Sequence, residues 1–162
     1  AIKLINKLIT KLPKDPYFHE LKGQIYFENG KIDRALKSYQ MATNLIPGSP
    51  LLRAQLAHVQ IEKNSPKFLR MAILNLLYSV SKDPTRPNVW RQLSIAYGRL
   101  NEKGESSQAL AEEAILLGRN NEAIKLAERA KKLLKTGTAN WLRAEDIINL
   151  AHINLKERKV RK

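Results

Sequence analysis

The chain has no cysteine, which excludes disulfide bonds and thiolate metal sites. Aromatic residues make up only 6%, and no apolar run approaches the roughly 18–20 residues of a membrane-spanning helix. The first residues, AIKLINKLITKLP, are amphipathic and lack the continuous apolar block of a signal peptide. The absence of cysteine does not identify a compartment, because reduced and oxidising compartments both contain such proteins.

The residues that are abundant favour a folded, helical chain. Hydrophobic residues make up 43% of the 162 positions and charged residues 27%, a globular rather than a disordered composition. Alanine and leucine are frequent, and both are strong helix formers. The length is sufficient for one domain with a substantial core.

The net charge of +14 is spread unevenly along the chain. Residues 1–48, 49–100 and 131–162 carry net charges of +4, +6 and +6, whereas residues 101–130 carry −2. A diffuse excess of this kind allows contact with nucleic acid or with an acidic partner. The composition, with eighteen lysines, favours the simpler interpretation of a solvated, lysine-rich surface.

Proline, glycine and helix-capping residues divide the chain into about nine helices. We expect them at about 1–12, 15–29, 33–47, 49–63, 65–82, 87–101, 105–117 and 121–134, and from Gly137–Thr138 towards KERKVRK. Every linker is short, so consecutive helices are predicted to be antiparallel.

Two stretches of the sequence can be overlaid 34 residues apart, with the same residue types at the same offsets. Pro13 and Pro47 are one such pair, and the set that ends at Pro47 has small or aromatic residues at Gly23, Tyr26, Gly30, Ala35, Tyr39 and Ala42. This order and period are the signature of the tetratricopeptide repeat, a pair of helices that stacks on its neighbours. The predicted fold is therefore all-α: a tetratricopeptide-repeat, right-handed solenoid of about nine antiparallel helices.

Small residues are predicted to let the paired helices approach closely. In the repeat register Gly23 faces Ala35, while Tyr26 and Tyr39 fill the seams between hairpins. Trp90 and Trp141 are predicted to fill seams further along the chain. From Trp90 onwards, two consecutive helices both have the residue pattern of the first helix of a repeat. The regular alternation of first and second helices is therefore expected to break near residues 100–105.

Longer strings resemble one particular family. They are PYFHELKGQIYFENGK, PGSPLLRAQLAH, NVWRQLSIAYGRL, LAEEAILLGRNNEAIKLAERA and NWLRAEDI. They resemble the carboxy-terminal repeat domain of BepA-like zinc metalloproteases, envelope proteins of Gram-negative bacteria. Residues 1–162 are then expected to form a single repeat domain, and because Ala1 falls halfway through a repeat, a fragment of a longer protein.

The resemblance implies a function in the periplasm. In that family a protease domain with an HExxH zinc motif precedes the repeats, and the repeats help the protein dock on outer-membrane assembly machinery and its client proteins. Zinc would belong to that absent domain, so no cofactor is expected in this chain.

Catalytic motifs were sought in the sequence itself. His19–Glu20 resembles the start of HExxH, but the second histidine would fall at position 23, which is Gly23. His58 and His152 are isolated, and no phosphate loop or nucleophile elbow occurs. Glu112 and Glu113 are adjacent, so on a helix they point about 100° apart and do not form a catalytic pair. We therefore predict no catalytic, cofactor-binding or metal-binding residue and no enzyme activity.

Function is instead expected in a groove lined by the first helix of each hairpin. Apolar and aromatic side chains flanked by arginines suit an extended peptide or a helix with acidic groups. The predicted partner-binding residues are Tyr17, Glu20, Gln24, Phe27, His58, Arg91 and Arg99, and the same register exposes Ala54, Ile61 and Ile95.

Three functions follow from these features. The first is a protein-interaction scaffold, the non-catalytic repeat domain of a periplasmic zinc metalloprotease involved in outer-membrane protein quality control. The second is a stand-alone cytoplasmic adaptor or co-chaperone with the same fold. The third, a nucleic-acid binder, lacks the aromatic residues on a basic face and the per-repeat base code that such recognition uses. The oligomeric state is not predicted.

Overall fold

The computed structural model describes residues 1–160, and within that range it contains nine α-helices and no strand. This matches the number and the helical character predicted from the sequence. The helices are α1 (Ile2–Lys11), α2 (Pro16–Glu28), α3 (Ile32–Leu45), α4 (Pro50–Lys63), α5 (Pro66–Lys82), α6 (Pro87–Arg99), α7 (Lys103–Leu116), α8 (Asn120–Leu133) and α9 (Ala139–Val160).

Local sequence explains where these helices begin and end. The Asp15 side chain accepts a hydrogen bond from the backbone of Tyr17 at 2.9 Å, and Pro16 occupies the first turn of α2. Ser49 caps α4 in the same way. Gly30 has a φ of 68°, a left-handed conformation in which glycine carries no Cβ penalty, and it ends α2. The predicted helix limits are confirmed to within about two residues.

The chain forms two compact units, Ala1–Lys82 and Asp83–Lys162. In the first unit α1 packs on α2, and α2, α3, α4 and α5 pack on one another in chain order. In the second unit α6, α7, α8 and α9 pack in chain order, and α7 also contacts α9. The single domain expected over residues 1–162 stays a prediction.

A buried aromatic ring lies at the centre of the first unit. Tyr39 packs with Ala35, Leu56 and Val59, so α3 and α4 share one core. A Cβ atom placed on Gly23 would lie 2.8 Å from the Tyr39 ring. The predicted close approach at Gly23 is thus present, but the group it meets is the ring of Tyr39 rather than Ala35, because the ring lies flat against the α2 backbone.

The second unit has a core built largely of alanine. Its fully buried alanines and Ile147 form one cluster, to which α7, α8 and α9 all contribute. Ala111 of α7 and Ala123 of α8 both belong to this cluster. Trp90 and Trp141 are partly buried, and the indole of Trp90 donates to the Pro84 carbonyl at 2.8 Å.

Candidate functional site

In the first unit, four of the predicted binding residues lie on α2 and one lies on α4. The Gln55 amide of α4 donates a hydrogen bond to the Glu20 carboxylate of α2 at 2.8 Å. The Phe27 ring of α2 meets the His58 ring of α4 edge to face, with 4.9 Å between centroids. These two contacts bring side chains from two first helices onto one surface. We call it the α2–α4 surface, and it consists of Tyr17, Glu20, Gln24, Phe27, Gln55 and His58.

The α2–α4 surface offers both aromatic and polar groups to a partner. Tyr17 is 58% exposed and contacts Phe18 edge to face. Gln24 is exposed and donates to Glu28 at 2.9 Å, one helical turn further on. An exposed tyrosine beside amide and carboxylate groups is typical of a protein-binding surface, because it supplies large contact area at little conformational cost.

Two positions that the repeat register places in the groove are buried instead. Ala54 is 6% exposed and Ile61 is 4% exposed, so neither can contact a partner. The reason lies in the position of α4, which packs against both α3 and α5. A helix with neighbours on two sides keeps only a narrow strip open, and His58 lies on that strip.

The two arginines predicted for the groove lie in the second unit, on α6. The guanidinium of Arg91 bonds the Glu113 carboxylate, with Nε 2.8 Å from Oε1, although the side chain stays 55% exposed. Arg99 is exposed and is the last residue of α6. Arg91 therefore neutralises a buried carboxylate, a role that the groove prediction missed. Ile95, on the same helix, is exposed as predicted.

Glu112 and Glu113 are both buried, and their carboxylates bond different arginines. Glu112 accepts two hydrogen bonds from Arg143, one of them from Nη2 at 2.8 Å. Glu113 is bonded by Arg91, and the Arg119 guanidinium lies 3.6 Å away. The hydrogen bond from Arg143 to Glu112 raises the pKa of that guanidinium above its usual value. Charges buried in this way are stabilised by their pairing.

Burial raises the pKa of one tyrosine in each unit, Tyr39 on α3 and Tyr97 on α6. Burial, followed by the charges of Glu20 and Glu28, raises the pKa of Tyr39 to about 12. Burial, followed by Glu102 and Glu105, raises the pKa of Tyr97 to about 12. Both phenols are therefore neutral at physiological pH and belong to the core rather than to a reactive site.

His19, the histidine of the incomplete HExxH motif, lies in a turn contact. Its Nε2 is 3.0 Å from the Pro13 carbonyl, so the ring ties the start of α2 to the end of α1. Among the described residues, no three histidine, aspartate or glutamate side chains are grouped so as to hold a metal ion. In the same part of the chain, no helix has both the length and the apolarity to cross a membrane.

Comparison with known proteins identifies the fold and one set of relatives. A family model described as "Tetratricopeptide repeat" matches residues 3–111. The chain is 27% identical over 143 residues to the "Beta-barrel assembly-enhancing protease" of Escherichia coli K12, a match that covers 88% of the chain and 28% of that protein. The protein of the same name from Shigella flexneri matches equally well. The chain thus spans less than a third of the length of these relatives.

Solved structures show the same architecture. A crystal structure of MamA superposes with a TM-score of 0.68 at 15% identity, covering 99% of this chain and 90% of that one. A second MamA structure gives a TM-score of 0.57 at 20% identity, covering 89% of this chain and 84% of that one. At these identities the likeness establishes the fold alone.

Proposed function

The chain belongs to the tetratricopeptide-repeat family and is a protein-interaction scaffold, and we propose that it binds a protein or peptide through the α2–α4 surface. Family membership and the nine described helices confirm the all-α repeat fold predicted from the 34-residue period. The observation that carries the proposal is the joint surface made by two first helices. The Glu20–Gln55 and Phe27–His58 contacts hold that surface in place before any partner arrives.

We propose further that the chain is the repeat domain of a periplasmic protease and docks on outer-membrane assembly machinery and its client proteins. The support is the match to the beta-barrel assembly-enhancing protease over 88% of the chain. The alternative is a cytoplasmic adaptor or co-chaperone with the same fold. Fractionation of the source cells separates the two, because the first requires the protein in the periplasm and the second requires it in the cytoplasm.

The docking proposal is tested with purified outer-membrane β-barrel assembly machinery and the immobilised chain. We expect the double variant Tyr17→Ala, His58→Ala to bind at least about tenfold more weakly, since exposed aromatic residues dominate many interfaces. The melting temperature is measured alongside, because His58→Ala also removes the contact with Phe27. Leu77→Ala, an exposed residue of α5 outside the surface, is the matched control. Equal binding by the double variant and the parent chain would contradict the proposal.

Arg91 and Arg99 remain proposed partner contacts in the second unit. Arg99→Ala is the cleaner test, because Arg91→Ala would also leave the buried Glu113 without its closest cation. We expect Arg99→Ala to weaken binding of an acidic peptide and to leave the unfolding midpoint unchanged. If binding is unaffected, the groove prediction is wrong for α6.

We propose that this chain performs no catalysis and needs no cofactor. The support is the repeat fold together with Gly23 at the position where an HExxH motif requires its second histidine. The purified chain should hydrolyse no casein or fluorogenic peptide, with or without added zinc. Proteolysis that a chelator abolishes would contradict this proposal.

A further inference from the structure

A cavity opens between α3 and α5, on a face of the first unit formed by second helices. Its volume is about 430 Å³, within the range of sites that hold small ligands or a few side chains. Its lining combines apolar side chains with amides and one cation. The lining residues are Leu36, Lys37, Gln40, Met41, Asn44, Gln60, Phe68 and Met71.

A second cavity of about 290 Å³ adjoins the first. The two share Gln40, Asn44, Gln60 and Met71, so they form one continuous groove. The second cavity reaches Arg53 and Asn75 beyond the shared residues. We call the combined feature the α3–α5 groove.

Three polar side chains form a relay of hydrogen bonds at the groove. Arg53 Nη1 donates to Asn75 Oδ1 at 3.1 Å, and Asn75 Nδ2 donates to Gln60 Oε1 at 3.0 Å. Arginine can only donate, so it fixes the oxygen of Asn75 towards itself and the NH₂ of Asn75 towards Gln60. The same logic fixes the oxygen of Gln60 towards Asn75. The relay therefore ends on the NH₂ group of Gln60.

That terminal NH₂ group has no acceptor. Gln60 is fully buried, and its Nε2 makes no hydrogen bond to any residue that the structure describes. Leaving such a donor unpaired costs about 1–3 kcal/mol. Turning the amide over would not help, because the oxygen would then lose the Asn75 donor. Gln60 lines both cavities, so this unpaired donor belongs to a residue at the wall of the groove.

The charges that line the groove indicate which charge a bound ligand should carry. Lys37 and Arg53 contribute two cations to the lining, and neither cavity is lined by aspartate or glutamate. Met41 and Met71 supply apolar surface that adapts to different shapes, as methionine does at promiscuous binding sites. An apolar group with a carbonyl acceptor and a nearby carboxylate complements all of these features.

We propose that the α3–α5 groove is a second docking site, separate from the α2–α4 surface, for a short acidic peptide segment. Apolar side chains of the segment fill the cavity between Met41 and Met71. A backbone carbonyl of the segment accepts from Gln60 Nε2, and a carboxylate lies near Lys37. The chain would then hold a protein on the face formed by its second helices as well as on the face formed by its first helices.

The test uses the fact that Met41 and Met71 are the only two methionines in the chain and that both line the groove. The ¹³C-methyl methionine spectrum of the 162-residue chain should contain two signals, each reporting on this site. The probes are N-acetyl-Leu-Leu-Glu-amide and its basic counterpart N-acetyl-Leu-Leu-Lys-amide, both at millimolar concentration. We expect the acidic peptide to shift both signals saturably and to bind at least about fivefold more tightly than the basic one.

Two variants test the geometry of the site. Met41→Asp places a negative charge in the groove at a half-exposed position, so it should repel the acidic peptide, abolish its binding and keep the fold. Gln60→Met removes the donor and should weaken binding about threefold to tenfold, the value of one hydrogen bond. Gln60→Met also leaves Asn75 Nδ2 without its acceptor. The melting temperature of this variant is therefore measured as well, to show whether weaker binding reflects a loss of stability. Leu51→Asp, exposed to a similar degree and outside the groove, is the matched control and should bind like the parent chain.

Three results would overturn the proposal. The first is methionine signals that do not move at saturating peptide, and the second is equal binding of the acidic and the basic peptide. The third is a shift of the signals when the protein alone is concentrated, which would mean that a second copy of the chain occupies the groove. Those three results concern the parent chain; for the variants, unchanged binding by Met41→Asp with the fold intact would contradict the proposal as well.

Discussion

One cluster of buried polar side chains in each unit shows a different kind of pairing. In the second unit Glu112 and Glu113 are deeply buried, and each carboxylate is bonded by an arginine. In the first unit Gln60 is equally buried, but its NH₂ group has no partner among the described residues. The same fold therefore contains a closed ion-pair arrangement on α7 and an open hydrogen-bond relay on α4.

This difference separates charges that stabilise the fold from groups that are available to a partner. The arginines around α7 offset the cost of burying two carboxylates, so removing Arg143 should lower the stability of the unit. The Gln60 donor costs stability while it is unpaired, about 1–3 kcal/mol, so it favours any ligand that brings an acceptor. A basic residue that pairs with a buried carboxylate, as Arg143 does, is hence a poor guide to function.

The comparison predicts its largest effect for Arg143→Ala. The change leaves Glu112 buried without its cation and should lower the free energy of unfolding by about 2–3 kcal/mol. This loss is smaller than for a fully buried ion pair, because the arginine side chain is half exposed. Both tryptophans lie in the second unit, so tryptophan fluorescence during urea unfolding reports on it. Arg119→Ala is the control, because its 3.6 Å contact to Glu113 is weaker, and it should cost less than about 1 kcal/mol. Equal losses for both variants would contradict the ion-pair account.

A somewhat smaller effect is expected from overpacking the first unit. Gly23→Leu drives a side chain into the Tyr39 ring, which already lies 2.8 Å from an added Cβ, and should cost roughly 1–3 kcal/mol. Circular dichroism during urea unfolding follows the loss. An unchanged unfolding midpoint would show that α2 and α3 are not in close contact at this position.

High pH should destabilise both units through their buried tyrosines. The pKa of Tyr39 is about 12 in the folded state against about 10 unfolded, so the folded state retains the proton more strongly. The stabilisation is complete below pH 10 and is lost as pH rises to 12, by about 1 kcal/mol at pH 11. Tyr39→Phe lacks this group and serves as the control for lysine titration. The difference in free energy of unfolding between the parent chain and Tyr39→Phe should shrink from pH 9.5 to 11.5. A constant difference would contradict the raised pKa of Tyr39.

The smallest predicted effect distinguishes two helical glycines. An added Cβ on Gly98 would lie 3.5 Å from the Ser106 hydroxyl, an ordinary contact, unlike the clash at Gly23. Gly98→Ala should therefore stabilise the second unit by up to about 1 kcal/mol through helix propensity. Thermal unfolding followed by tryptophan fluorescence measures the change, and a clear loss of stability would show that α6 and α7 lie closer together than described.

The sequence predicted the helices well because their ends are local features. Proline at the first turn, a capping Asp15 or Ser49 and the left-handed Gly30 act within a few residues of each helix end. Contacts between helices were harder to predict. The packing of Tyr39 on Gly23 depends on how α3 lies against α2, and the burial of Ala54 depends on how α4 lies between two neighbours. A 34-residue period specifies neither.

The binding surfaces were predictable only in part. The repeat register placed Glu20, Phe27 and His58 on one surface, and the contacts between α2 and α4 agree with that placement. Their role in binding stays a prediction. The register could not show that Arg91 bonds Glu113, because that contact joins two helices. One signal for the α3–α5 groove was present in the sequence: Gln60 follows Leu52 and Leu56 at helical spacing, so a polar residue occupies a core position.

Photo-crosslinking of purified β-barrel assembly machinery to the chain is the most direct test of the claim that the partner binds the α2–α4 surface. A photoreactive amino acid is introduced at Tyr17 or at Leu142, which are exposed to similar extents on α2 and α9. We predict efficient crosslinks from position 17 and none from position 142. Crosslinks from position 142 alone, or from neither position, would contradict the account.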